Sequence, residues 1–318
     1  MTTDLRGIRI AITGANGFIG LHLVRALVKL GAEIYALVDP GNNLERLKKL
    51  GVTSVVITQW DKKTLQHILA EINPAGIIHL RARINQTNAV ERDLFFHTNF
   101  ENTKELAEAA LTLKHLKTFL RVGTIAEYGG SPAPFNEEIP GQPISDYGKS
   151  KLAATLWLKE LQKKHSFPLA TVRLSLVYGS GQSPHSYLIP NVIKSCLEKK
   201  NFYISSNGNQ TRDPLFIDDA VEGLVLAFNS REAHGEIINM GLGKEHTVLA
   251  IAECINEILG NPIAVKTGGQ PNRLGENDHY WNDIRKAKRI LGWSPTTSLT
   301  EGLKKTISWY KEHQSVFT

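Results

Sequence analysis

Three glycines at intervals of three, Gly14, Gly17 and Gly20, join a short apolar strand, Ile8-Arg9-Ile10-Ala11-Ile12, to residues 21–30, whose apolar positions recur at helical spacing. Strand, glycine turn and helix in that order form the context that a dinucleotide fingerprint requires. Gly14 permits a tight turn, Gly17 lets the backbone approach a pyrophosphate, and Gly20 lets the helix pack on the strand. Asn16, Phe18 and Ile19 complete the turn, and the helix start offers free N–H groups to phosphate. The plain alternative is an ordinary strand-to-helix turn.

A second strand, residues 33–38, ends at Asp39, 19 residues after Gly20. A carboxylate there accepts hydrogen bonds from an adenosine ribose and repels a 2′-phosphate, which favours NAD over NADP without excluding the latter. No arginine neighbours Asp39 in the sequence. The residue can equally start the turn Asp39-Pro40-Gly41-Asn42. Strand patterns near 8–13, 33–38, 54–57, 76–80 and 117–123 alternate with helical ones, and residues 169–174 extend the series. The alternation predicts an α/β fold, a Rossmann-like doubly wound parallel sheet. Beyond residue 175 the pattern loosens into loops such as Gly179-Ser180-Gly181 and Ser205-Ser206-Asn207-Gly208. The predicted organisation is a dinucleotide-binding domain over 1–174 and a smaller C-terminal substrate-binding lobe over 175–318.

Tyr147-Gly148-Lys149-Ser150-Lys151 places a tyrosine and a lysine four residues apart in a helix-forming run, on one helix face. A phenol near pKa 10 exchanges protons poorly at neutral pH unless a cation stabilises its phenolate. Lys151 can supply that charge and make Tyr147 a general acid/base for carbonyl–alcohol chemistry. The same spacing also occurs on solvated helix faces.

The glycine turn and the Tyr147/Lys151 pair, in that order, resemble the extended short-chain dehydrogenase/reductase family. Within it the chain is most similar to the NAD-dependent epimerase/dehydratase group that modifies nucleotide sugars. Ile77-Ile78-His79-Leu80 is similar to the family's fourth strand, and Asn99 to the asparagine that opens a long helix. Thr124-Ile125-Ala126-Glu127-Tyr128-Gly129 resembles the segment with the catalytic serine or threonine. Residues 173–179, 210–219 and Leu291-Gly292-Trp293-Ser294-Pro295 resemble substrate-lobe and C-terminal signatures. The resemblance implies that Thr124 hydrogen-bonds the reacting oxygen and Tyr147 moves the proton. Lys151 would hold the nicotinamide ribose and lower the tyrosine's pKa. Leu80 and Asn99 join the cofactor set, and Arg212 and Arg273 match positions that clamp a substrate diphosphate. It further implies a nucleotide-diphosphate sugar as substrate, two interleaved lobes, and a homodimer formed through helices around 85–115 and 147–165.

Departures from the pattern narrow the reaction. Dehydratases of the group carry an acidic pair after the threonine, and decarboxylases a glutamate at the second of those positions; here stand Ile125 and Ala126. Glu127 comes one residue later, and in extended structure it points to the opposite side. An epimerase, which reduces and reoxidises its cofactor within one turnover, is the first reading. An NAD(P)H-dependent 4-ketoreductase is the alternative, favoured by Leu176 where many epimerases place an asparagine. A cofactor-sensing regulatory protein is a third, opposed by retention of Tyr147 and Lys151. Arg81 and Arg83 replace small residues. Either can pair with Glu91 or Asp93, and Arg83 can also read an anionic group on the substrate.

The net charge of +6 raises the question of nucleic acid. The basic residues are dispersed along helices rather than gathered in a stripe, which argues for solvated faces and a modest attraction for anionic substrates. No apolar run approaches a membrane span. The N-terminus enters the first strand without a signal-peptide pattern. Cys196 and Cys254 lack metal or redox spacing, and the scattered histidines form no metal site. A cytoplasmic protein is expected.

Overall fold

The computed structural model describes residues 4–84, 91–183, 187–268 and 278–317. Strands β1 (Arg9–Thr13), β2 (Glu33–Val38), β3 (Thr53–Val56), β4 (Gly76–His79), β5 (Thr118–Thr124) and β6 (Leu169–Leu174) form a sheet with a seventh strand, Ile237–Met240. The spatial order is 237–240, β6, β5, β4, β1, β2, β3, and every neighbouring pair is parallel. Helices cover both faces, which is why β4 and β6 are buried at every position instead of alternating. The predicted Rossmann-like sheet is what forms.

After β3 the chain returns to the other side of β1, so the order reverses between β1 and β4. Ligands of open α/β sheets bind in the crevice outside the carboxyl ends at such a point. A buried polar chain fixes this junction. Thr103 Oγ1 donates to the Asn99 carbonyl at 2.8 Å, so it can only accept from His79 Nε2, also 2.8 Å away. His79 Nδ1 must then accept from Thr13 Oγ1 at 2.7 Å, and Thr13 in turn accepts from the Arg81 backbone N–H. Burial holds the imidazole well below its ordinary pKa and therefore neutral, which this bonding pattern requires.

The helix Phe18–Lys29 buries Leu21, Leu23, Val24 and Leu27 and packs against the helix Ile217–Asn229. That second helix and the strand Ile237–Met240 both come from the C-terminal half, so the two halves interleave in one core. Residues 291–295 dock on the same helix: buried Trp293 donates Nε1–H to the Asp219 carbonyl, and the Asp219 carboxylate accepts from Thr296 and Thr297. The rest of the C-terminal half includes the paired segments Leu176–Tyr178 with Pro214–Phe216, Thr211–Arg212 with His246–Thr247, and Phe202–Ile204 with Val265–Thr267.

Candidate active site

The glycine turn meets the steric demands that suggested it. Gly14 has φ +71°, and a Cβ on it would lie 2.8 Å from the Arg81 backbone nitrogen. A Cβ at Gly20 would overlap the Gly14 carbonyl oxygen, so the third glycine closes the helix onto its own turn. Gly17 is the N-cap of the helix Phe18–Lys29 and has no side chain to cap it, leaving the first N–H groups toward the crevice. Asn16 is tied sideways by Nδ2 to the Asn43 carbonyl. The cradle fits a dinucleotide pyrophosphate.

At the end of β2, Asp39 is not alone. Arg81, the second residue after β4, donates Nε and Nη2 to its two carboxylate oxygens at 3.0 and 3.1 Å, and Trp60 Nε1 donates at 2.7 Å. The expectation that Arg81 pairs with the segment after it is corrected, because the parallel pairing of β1 with both β2 and β4 brings residues 39 and 81 together. Leu80 is half-buried and packs against the core. Asn99, expected to open a helix, instead lies inside a π-helical turn, His97–Glu101. Its side chain receives the Arg83 N–H, returns a bond to the Arg83 carbonyl and reaches Ser150 Oγ at 3.0 Å. It therefore braces the loop after β4 against the helix Asp146–His165. Such π-turns often mark functional sites.

Thr124 ends β5 and caps a 3-10 turn, Ile125–Glu127: its Oγ1 accepts from the Ala126 N–H, and Glu127 Oε1 accepts from the Thr124 N–H. The threonine O–H is left to donate into the crevice. The segment is thus a turn and not extended, although the conclusion about Glu127 stands on other grounds. Its carboxylate is fully buried beneath the site, between Arg121 Nη1 at 2.9 Å and Arg173 Nε at 2.9 Å, with Thr155 Oγ1 donating at 2.6 Å. Arg121 also donates Nη2–H to the Lys151 carbonyl, so this ion cluster grips the helix that carries the pair.

That helix starts at Ser145, whose Oγ accepts from the Gly148 N–H. A Cβ at Gly148 would overlap the Ala126 carbonyl, so the glycine of the Tyr147–Lys151 run lets the helix lie against the threonine turn. Burial raises the Tyr147 phenol to about 12, with Thr124 the first opposing influence and Glu127 and Arg121 acting in opposite senses behind it. Lys151 is buried and donates Nζ–H to the Val122 carbonyl at 2.7 Å. Burial first, and Arg121 second, lower its pKa to about 7. A lysine depressed from its ordinary 10.5 has a charged form that the fold disfavours. The cofactor-free protein should therefore gain stability as pH rises from about 7.5 to 9, by at most about 1.4 kcal/mol per pH unit. Urea midpoints across that range would show the slope, and Lys151→Met should remove it.

Arg212 lies beyond the pair, in a 360 Å³ cavity whose lining includes Leu176, Tyr187, Asn191, Phe202 and Gln210. Its guanidinium bonds the Thr211 carbonyl and stands 5.9 Å from the Tyr280 ring. Tyr187 and Tyr280 escaped the sequence reading. Both sense the Tyr147 phenol electrostatically, and burial raises the pKa of each. Their sole sequence signal is being aromatic. Arg83 has its backbone fixed by Asn99; Arg273 lies outside the described residues, as does part of the segment 85–115. Among the described residues no group of three potential metal ligands gathers.

A family model described as the NAD dependent epimerase/dehydratase family matches residues 10–241. The chain belongs to that family. It is an NAD-dependent enzyme of the extended short-chain dehydrogenase/reductase type. It is 30% identical over 311 residues to a UDP-glucose 4-epimerase of Mycolicibacterium smegmatis, covering 95% of this chain and 98% of that one. It is 29% identical to a human dTDP-D-glucose 4,6-dehydratase over 96% of this chain and 90% of the relative. Among solved structures, a Bacillus cereus UDP-glucuronic acid 4-epimerase in complex with UDP-glucuronic acid and NAD superimposes with a TM-score of 0.85 at 29% identity, covering 96% of this chain and all (100%) of that one.

Proposed function

We propose that this family member is a nucleotide-sugar 4-epimerase that works through a transient keto-sugar. The observation that carries the reading is the direction of Glu127. With Ile125 and Ala126 aliphatic and the Glu127 carboxylate locked between two arginines under the site, the threonine turn offers no acid–base group for eliminating water. Thr124 and Tyr147 remain, and they suffice for moving one proton on and off a sugar hydroxyl. NAD supplies a hydride acceptor whose hydride is given back within the same turnover. Thr124 would hold the reacting oxygen, Tyr147 take and return its proton, and Lys151 stabilise the phenolate once the ribose draws it from the Val122 carbonyl. Arg212, with Arg273, would grip the diphosphate.

Likeness to UDP-glucose and UDP-glucuronic acid 4-epimerases supports this assignment. Leu176 in the cavity wall favours the 4-ketoreductase as the second reading, since it removes a polar contact to the sugar. Stoichiometry separates the two. Purified protein with NAD and UDP-glucose, UDP-glucuronate or dTDP-glucose should yield the 4-epimer with no net absorbance change at 340 nm. Steady loss of NADH absorbance with a 4-keto sugar nucleotide, and no epimer, would sink the epimerase.

The same proposal includes a cytoplasmic homodimer. Leu94 and Leu156 are 42% and 56% exposed on the helices Glu91–Phe96 and Asp146–His165, an apolar surface suited to a helical interface. Both cysteines are free thiols, in keeping with a reducing compartment. Light scattering that returned only a 35.3 kDa species at micromolar concentration would remove the dimer.

A further inference from the structure

We propose that Arg81 sets the coenzyme choice of this enzyme, by neutralising Asp39 so that the adenosine-ribose subsite accepts the 2′-phosphate of NADP as well as the ribose of NAD. The inference rests on the glycine turn holding a dinucleotide and is independent of which sugar is turned over.

A lone carboxylate at the end of β2 selects NAD in two ways: it accepts the ribose hydroxyls, and its charge repels a phosphate placed there. Here both functions are altered. Asp39 Oδ1 already accepts from Trp60 Nε1 at 2.7 Å and Arg81 Nη2 at 3.1 Å, which uses both of its lone-pair directions. Oδ2 accepts from Arg81 Nε at 3.0 Å and keeps one direction for a ribose hydroxyl. The carboxylate can therefore still greet NAD, through one oxygen. Its repulsion of a phosphate is offset by a guanidinium in bidentate contact, the geometry in which arginine pairs most strongly with an oxyanion.

Arg81 is fixed in place rather than swinging free. Its guanidinium carbon lies 4.3 Å from the centre of the Trp60 ring, a stacking geometry that removes rotamer freedom. Its backbone N–H is bonded to Thr13, and it lies so close to Gly14 that a Cβ there would collide. The residue thus spans from the pyrophosphate turn to the ribose carboxylate. Its Nη1 is buried with no hydrogen-bond partner among the described residues, a donor that an incoming phosphate or ribose oxygen would satisfy. A pair this close to solvent, with side-chain exposures of 17% and 38%, contributes little to folding. Its main consequence is for the charge that a ligand meets.

Calorimetric titration of NAD and NADP into the purified, nucleotide-stripped chain tests this without turnover. The expected wild-type result is an NADP-to-NAD ratio of dissociation constants no greater than about tenfold. In Arg81→Gln, which exposes the Asp39 charge, that ratio should rise by at least about tenfold, chiefly through weaker NADP binding. Arg81→Lys keeps the charge while losing the fork, and should hold the ratio closer to wild type than the glutamine variant does; this separates charge from packing. A larger wild-type ratio, a smaller rise in Arg81→Gln, or equal ratios for the two variants would overturn the inference. Failure of wild type to bind either dinucleotide would instead overturn the reading of the glycine turn itself.

Discussion

Tyr147→Phe should reduce turnover of any sugar nucleotide this enzyme accepts by about 10²–10⁴-fold, the range for loss of a positioned general acid/base. The phenol is pushed to about 12 in the cofactor-free protein, so at neutral pH it is protonated and its proton is held until a cation or a reacting oxygen draws it off. Lys151, lowered to about 7 chiefly by burial, lies on the same helix face. Removing one hydroxyl takes away the group proposed to carry the proton between sugar and helix. It leaves the ring, with its edge-on contact to Phe95 at 6.5 Å between centroids, in place. Dinucleotide affinity and the urea midpoint should therefore stay close to wild type while kcat collapses. A variant that kept a tenth or more of wild-type kcat would move the proton transfer to another group, with Tyr187 and Tyr280 the nearest phenols to examine.

Glu127→Ala should cost about 3–5 kcal/mol of folding stability, the penalty for leaving buried charge uncompensated. Arg121 and Arg173, 0% and 3% exposed, would lose the one carboxylate that bonds them both. Thr124 would lose the partner of its backbone N–H, and Thr155 its shortest acceptor contact. Urea denaturation would show the loss as a lower midpoint at unchanged slope. Because Arg121 also holds the Lys151 carbonyl, kcat should fall even where the variant is fully folded. The aliphatic triple variant Arg121→Met, Glu127→Leu, Arg173→Met removes all three charges and should recover much of the stability, as replaced buried ion clusters often do. A loss under about 1 kcal/mol for Glu127→Ala would show that entering water solvates the arginines or that a moved carboxylate pairs with them.

These two residues mark how far the sequence could be read. Tyr147 was legible because its partner is four residues away on the same helix, where spacing alone determines which face both occupy. Glu127 was legible only in the negative: its offset from the expected acidic pair said that it does not serve the site. What it does instead depends on Arg121 and Arg173 from two adjacent parallel strands, β5 and β6. A related limit applies at Asp39. Its place after a strand was plain, yet the arginine beside it comes from 42 residues later, and chain neighbours gave no hint of it.

Local stereochemistry is therefore what the sequence settled by itself: a glycine that needs positive φ, a helix that must close on its own turn, strands buried on both faces, and a tyrosine and lysine in phase. Each follows from sterics and periodicity within about twenty residues. The tertiary structure alone decided which charges meet. The parallel sheet order sets Arg81 against Asp39 and buries Glu127 between two arginines, while the hydrogen bonds of Thr211 with residues 278 and 280 bring Tyr280 alongside Arg212. Ion pairing and desolvation depend on distance in space and on access to water, and neither is written into the spacing of residues along a chain.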